Sequence, residues 1–280
     1  MLMQRVITAL VLLPLLLAAV WFLPTMWLYG VFSFAGLLIA WEWSALMKLQ
    51  STGARYGYVL LAALALVAAW MFRTRWINLS IASLMWWCYA AALVRTYPAS
   101  FASRAPGKAA MALIGLLLIV PTILSLAVLH SGGDITSVHS GSLRLLYVFF
   151  LIFAADTGAY FAGRRFGKRK LAPAVSPGKS VEGAIGGLLL CAVWALTGGV
   201  YVFFDGVYAP VGRLAAFVGL SMLVAMISIL GDLAESMFKR AAGVKDSGTI
   251  LPGHGGILDR TDSLLAAAPL MALGLYLLKL

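Results

Sequence analysis

The sequence predicts an all-α, polytopic integral membrane protein of about nine transmembrane helices with a cytoplasmic N-terminus. Three observations carry this. Of the 280 residues, 62% are hydrophobic and only 11% charged, and a mean hydropathy of +0.97 excludes an ordinary soluble domain. Apolar runs of about 20 residues recur, long enough for helices to cross a hydrocarbon core of roughly 30 Å. They do not alternate apolar with polar positions, as barrel strands do. Basic residues, finally, gather at alternate ends of the runs.

The first run follows Arg5 and resembles the charged and apolar regions of a signal peptide. Trp21, Phe22, Leu23 and Pro24 then stand where a small-residue cleavage site would be, so a retained helix over about residues 6–23 is expected. Further spans are expected near 25–47, 57–72, 76–94, 109–129, 143–163, 182–204, 212–238 and 259–279. With the N-terminus cytoplasmic, only Arg73, Arg75, Arg144, Arg213 and Lys279 fall outside. The inner segments then keep 16 of the 21 basic residues, a clear positive-inside bias. Missing or adding one helix would scramble that sorting. The loop His130–Ser142, with Asp134 and no Lys or Arg, fits the outer side.

The formal net charge of +11 is therefore read as topology plus affinity for anionic lipid and phosphate, not for nucleic acid. Cys88 and Cys191 both lie in apolar runs, so buried packing is expected rather than a disulfide or a zinc site. The composition shifts near residue 140. Residues 1–140, helices one to five, hold only Glu42 and Asp134 as acids and read as a membrane scaffold. Residues 141–280, helices six to nine, hold the other acids and the charged loops.

Chemistry gathers in two of those loops. At the end of the sixth span, Asp156 stands in an apolar helix, where an ionised carboxylate is costly without a partner. Tyr160 and Gly163 share its face. Ser176-Pro177-Gly178-Lys179-Ser180-Val181-Glu182-Gly183 follows. Lys179 offers a point charge, and Ser180 is placed to cap the next helix. The spaced glycines of a phosphate-binding P-loop are absent, and no strand is expected before it, so that reading is rejected. Gly183, Gly186 and Gly187 read as close helix packing.

The second stretch runs from Ser236 to Asp262. Asp232, Ser236, Lys239 and Arg240 are spaced three to four apart on one side of a helix, with Glu235 adjacent. Lys245 and Asp246 follow, then the turn Gly253-His254-Gly255-Gly256, suited to close backbone approach and to an anion nest. Asp259, Arg260 and Asp262 open the last helix. Two carboxylates there exceed what a cap needs. Hard cations such as magnesium take carboxylate oxygens and share them with substrate phosphates, so Asp232 with Asp259 would make such a site across two helices. His254 reads equally as a base or as a turn histidine bonded to its own loop. Glu42, between Trp41 and Trp43, has no assigned partner, and a structural pair is expected for it.

The run Ser236-x-Phe-Lys-Arg-x4-Lys-Asp-x-Gly-x2-Leu-Pro-x-His-Gly-Gly-Ile-x-Asp-Arg-Thr-Asp262 resembles the full signature of the phosphatidate cytidylyltransferase (CDP-diacylglycerol synthase) family. Asp156-Thr157-Gly158-Ala159-Tyr160 and Ser176-Pro177-x-Lys179-Ser180-x-Glu182-Gly183 resemble it too. The similarity is strong over the C-terminal half. In the N-terminal half it rests on hydropathy and the Arg5-Val-Ile-Thr opening. The resemblance implies transfer of CMP from CTP to phosphatidic acid, giving CDP-diacylglycerol and pyrophosphate. It also implies a homodimer with magnesium, and a second, potassium-like cation, at Asp232 and Asp259. The site then faces the cytoplasm from the inner membrane.

On this reading the catalytic set is Asp232, Lys239, Arg240, Asp246, His254, Asp259 and Arg260. Asp156, Lys179, Ser180, Glu182, Ser236, Lys245 and Asp262 bind substrate. The attacking lipid phosphate is already anionic near neutral pH, its second pKa being about 6, so positioning and charge neutralisation matter more than a base. A CTP-dependent polyprenol or phytol kinase is the alternative, but moving a γ-phosphate to an alcohol calls for a base. A transporter is disfavoured because the charges gather at one face and no repeat is visible.

Overall fold

The structure, a computed structural model, describes residues 2–132, 140–204, 206 and 210–280. The outer-loop reading at 133–139, including Asp134 and His139, lies outside them. The chain runs α1 (Leu2–Phe22), α2 (Thr25–Leu46), α3 (Thr52–Met71), α4 (Trp76–Thr96), α5 (Ala99–Arg104), α6 (Lys108–Ser131) and α7 (Ser140–Phe166). A hairpin of β1 (Lys170–Ala172) and β2 (Ser176–Ser180) follows. Then come α8 (Val181–Trp194), α9 (Val200–Phe204), α10 (Val211–Ala242) and α11 (Leu258–Leu278). Among the described residues, eight helical spans are long and apolar enough to cross a membrane; in α1 the stretch Leu10–Phe22 is apolar but shorter. The all-α, polytopic class holds.

Several elements depart from expectation. The seventh span is not one continuous α-helix: a π turn at Ala195–Gly199 separates α8 from α9. A wider turn fits here because Gly199 meets an aromatic wall, and a Cβ on it would stand 2.5 Å from Phe217 Cε1. The eighth span continues one turn further than expected, so Lys239 and Arg240 lie in the last turn of α10. Cations at a helix C-terminus are favoured by the backbone dipole. The hairpin was not expected. Cys191 is buried and donates to the Leu151 carbonyl at 3.3 Å, but Cys88 is exposed, correcting the reading of both as core. Cys88 misses the inward stripe of α4, which is Ser80, Ser83, Trp86, Trp87 and Ala90.

The helix α6 is the most buried span and forms the axis of the bundle. Thr122 Oγ1 on it donates to the Leu265 carbonyl of α11 at 2.9 Å. Trp43 of α2 donates from Nε1 to the Met111 carbonyl at 2.7 Å, and its ring packs edge-on to Phe238 of α10. The end of α1 shows how a break is absorbed. Pro24 has no N–H to offer the Val20 carbonyl one turn back. Ser142 Oγ at 2.8 Å and His130 Nε2 at 3.0 Å donate to it instead. The His130 proton is therefore on Nε2, and Nδ1 accepts from the Thr25 hydroxyl at 2.9 Å. His130 is structural.

Candidate active site

The loop after α10 is shaped by glycine. Gly243, with φ +83°, ends the helix, and its N–H and that of Val244 close on the Arg240 and Lys239 carbonyls at 3.0 and 2.9 Å. Gly253 (φ +75°) and Gly255 (φ +83°) then turn the chain through a conformation side chains resist. The turn is closed by Leu251 N donating to Gly255 O and His254 N to Leu251 O, both at 2.9 Å. Arg260 clamps it, donating from Nε and Nη2 to the His254 carbonyl at 3.0 and 2.8 Å. On the His254 ring, the buried Nδ1 has no partner among the described residues.

Asp259 is the hub of this loop. Its Oδ1 accepts from Lys239 Nζ at 2.7 Å and from Ser247 N at 3.1 Å. Its Oδ2 accepts from Ser247 N at 3.0 Å and Gly256 N at 2.8 Å. Lys239 Nζ also lies 2.5 Å from Glu235 Oε2. The three side chains are 12, 8 and 4% exposed for Lys239, Asp259 and Glu235, so the lysine is held between two buried carboxylates. Arg240, Lys245 and Asp246 are exposed at the rim.

The second loop reaches the first through the hairpin. The β strands are antiparallel, with Lys170 opposite Ser180 and Ala172 opposite Ser176. Lys179 and Ser180 thus end a strand that passes directly into α8, contrary to the strand-free expectation. The P-loop reading still fails, since no glycine loop separates strand from helix. Ser180 caps α8, accepting from Gly183 N at 3.1 Å. Glu182 turns back on its own loop and accepts from Lys168 N, Arg169 N and Arg169 Nε at 3.0, 3.1 and 3.0 Å. Lys179 Nζ forms an ion pair with Asp232 Oδ2, and Ser236 Oγ donates to Asp232 Oδ1 at 3.4 Å. That ion pair joins the two loops.

Close packing of α7 on α8 makes this possible. A Cβ on Gly158 would stand 2.5 Å from the Gly186 carbonyl, and one on Gly187 2.5 Å from that of Ala155. The seam leaves a cavity of about 390 Å³ lined by Asp156, Tyr160, Arg164, Lys179, Ser180 and Asp232. Asp156, Tyr160 and Arg164 lie four residues apart on one stripe of α7, and Arg164 Nη1 donates to the Tyr160 hydroxyl at 3.1 Å. A second cavity, of about 440 Å³, has apolar walls that include Leu16, Phe32, Ile123 and Phe149. It ends on Asp156, Asp232, Asp259, Arg260 and Asp262. The two cavities share Asp156 and Asp232. Arg164 and Tyr160 escaped the sequence reading as site residues because a basic helix end looks the same whether or not it borders a cavity.

Four carboxylates border the second cavity against one arginine, and Lys179 and Lys239 reach over to two of them. Such an excess of oxygen donors fits a hard divalent cation. No group of three or more His, Cys, Asp or Glu among the described residues is arranged as a self-sufficient metal cage.

Comparison with known proteins gives the same direction. Residues 3–278 match the model of the cytidylyltransferase family. The chain is 40% identical to a phosphatidate cytidylyltransferase of Haemophilus influenzae over 285 residues, covering 96% of each chain. It is 40% identical to one of Pseudomonas aeruginosa over 277 residues, covering 97% of this chain and 96% of that one. A phosphatidate cytidylyltransferase of Staphylococcus saprophyticus is 46% identical over 127 residues, or 45% of this chain and 46% of that one.

Proposed function

Since the chain belongs to the cytidylyltransferase family, we propose that it is a nucleotidyltransferase that moves CMP from CTP to phosphatidic acid. The products are CDP-diacylglycerol and pyrophosphate. One observation carries the assignment of substrates to the site: a cation-bearing cavity and an apolar cavity meet on Asp156 and Asp232. The first suits a nucleotide triphosphate, with Lys179 and Arg164 on its wall and the N-terminus of α8 capped at Ser180. The second suits the diacylglycerol body, whose phosphate would then lie among Arg260 and the aspartates.

The reaction is an in-line displacement. An oxygen of the lipid phosphate attacks the α-phosphorus of CTP, a new P–O bond forms, the bond to the β-phosphate breaks, and pyrophosphate leaves. With the nucleophile already anionic, the side chains act by holding two polyanions in line and offsetting their charge. Lys179 and Lys239 hold their ammonium groups on Asp232 and Asp259, so neither carboxylate is left uncompensated. Exposed Arg240 and Lys245 are placed to draw in substrate phosphates. A magnesium ion held by Asp232 and Asp259 is part of the proposal, supported by the donor excess around the second cavity; when bound it would neutralise phosphate charge. The resemblance set out above is what supports a second, potassium-like cation and a homodimer. The concentration of Lys and Arg in the two site-bearing loops supports a cytoplasmic face of the inner membrane.

Purified protein given phosphatidate and CTP labelled at the α-phosphate is expected to release pyrophosphate and place the label in lipid. Chelation of divalent cations is expected to stop both. Release of labelled CDP, with no label entering lipid, would instead identify a kinase.

A further inference from the structure

Glu42 lies on α2, far in sequence from the catalytic loops, and is 2% exposed. Among the described residues no Lys or Arg pairs with it. Its carboxylate is instead closed over by the loop around Asp259. Ser247 Oγ donates to Oε2 at 3.1 Å, Ile257 N to Oε1 at 3.0 Å, and Leu258 N to Oε2 at 2.8 Å. The chain is tight around it. A Cβ on Gly248 would stand 2.5 Å from Oε1, and one on Gly256 2.6 Å from Oε2.

The neighbouring bonds show what this contact controls. Three successive N–H groups at the entry to α11 are divided between two carboxylates: Gly256 goes to Asp259, while Ile257 and Leu258 go to Glu42. Ser247 is shared, giving its hydroxyl to Glu42 and its N–H to both oxygens of Asp259. The residue before α11, Ile257, provides no side-chain cap. The cap comes from another helix, 216 residues away in sequence for the Leu258 bond. A buried charge is tolerable there because the helix N-terminus favours an anion and each bond is charge-assisted. Removing the carboxylate takes away these three bonds between α2 and the loop that carries Asp259.

We propose that Glu42 is a positioning residue: acting through Ser247 and the first turn of α11, it sets where the Asp259 carboxylate stands relative to Asp232. The assignment rests on the reaction reading above for its activity readout. It also gives the N-terminal helices a part in the site rather than a scaffold role alone.

The test uses full-length protein in lipid–detergent micelles, with phosphatidate and labelled CTP. Glu42→Gln keeps the shape but turns one acceptor into an NH₂ group facing N–H donors. Its kcat per folded molecule is expected to fall by about tenfold to a hundredfold, the range for a charge-assisted hydrogen bond network of this kind. KM for phosphatidate is expected to stay within about twofold, because Glu42 does not border the substrate cavities. Ser247→Ala is expected to lower kcat by roughly fivefold, and the double variant to match Glu42→Gln alone, since the Ser247 hydroxyl acts only through Glu42. If Glu42→Gln does not fold, Ser247→Ala decides alone. A kcat per folded molecule within about twofold of the parent, or losses that multiply in the double variant, would overturn the proposal. Amide exchange at 247 and 256–258 gives a readout independent of turnover: it is expected to quicken in Glu42→Gln relative to α6, and unchanged exchange also overturns it. Failure of the unmodified protein to form CDP-diacylglycerol would remove the reaction reading and leave the exchange test standing.

Discussion

At the residue scale, the site is a set of acids whose partners differ in kind. Asp232 has an ammonium from another loop, Asp259 has an ammonium and two N–H groups, and Glu42 has N–H groups and a hydroxyl. Asp259→Asn is expected to lower CTP-dependent transfer by roughly a hundredfold or more, because positioned charge at a phosphoryl group contributes several kcal/mol. The variant should still insert and fold, since Glu235 remains 2.5 Å from Lys239 to neutralise it. Product formation alongside the amount of folded protein after detergent extraction checks this. Lys239→Met makes the opposite case. It strips the cation from two buried carboxylates, and breaking a buried pair costs about 3–5 kcal/mol. A clear drop in unfolding temperature is expected, measured by thermal unfolding in detergent, together with loss of activity.

At the scale of elements, the α7–α8 seam and the hairpin decide whether the two loops meet. Gly158 has no room for a methyl group against the Gly186 backbone, and overpacking of this kind costs typically about 1–3 kcal/mol. Gly158→Ala is expected to push α8 off α7 and displace Lys179 from Asp232. The signature is a raised KM for CTP with a lowered unfolding temperature, obtained from steady-state kinetics and a melt of the same preparation. The helices were legible in the sequence because hydropathy and length are local properties. Close helix packing at Gly183, Gly186 and Gly187 was legible as well, but that its partner is α7 was not. The hairpin was not. Lys170–Ala172 and Ser176–Ser180 are three and five residues long and carry no extended two-residue alternation to announce them. The π turn at Ala195–Gly199 was hidden for another reason: its aromatic wall, Phe217, belongs to a different helix.

At the scale of the whole molecule, the site sits where two loops of the C-terminal half meet helices of the N-terminal half, and the side of the membrane it faces is testable directly. With Cys88 and Cys191 replaced by alanine, a cysteine at Lys245 is expected to react with an impermeant maleimide only in inside-out vesicles. One at Arg213 should react only in right-side-out vesicles. The reverse pattern would invert the topology drawn from the charge bias. The division at residue 140 into scaffold and catalytic parts understates the first half, because Glu42 on α2 and Leu16 and Phe32 on α1 and α2 border the loop or the apolar cavity. By itself the sequence determined the membrane class, the approximate spans, and the inventory of acids and cations at the site, since these follow from composition and from charges too costly to leave in an apolar chain. The tertiary structure alone decided the partners. It gave Lys179 to Asp232, Lys239 to Asp259 and Glu235, and Glu42 to the N–H groups of α11. Those pairings depend on which helix ends lie side by side, and backbone donors, present at almost every residue, leave no mark in the sequence to say which of them an acid will meet.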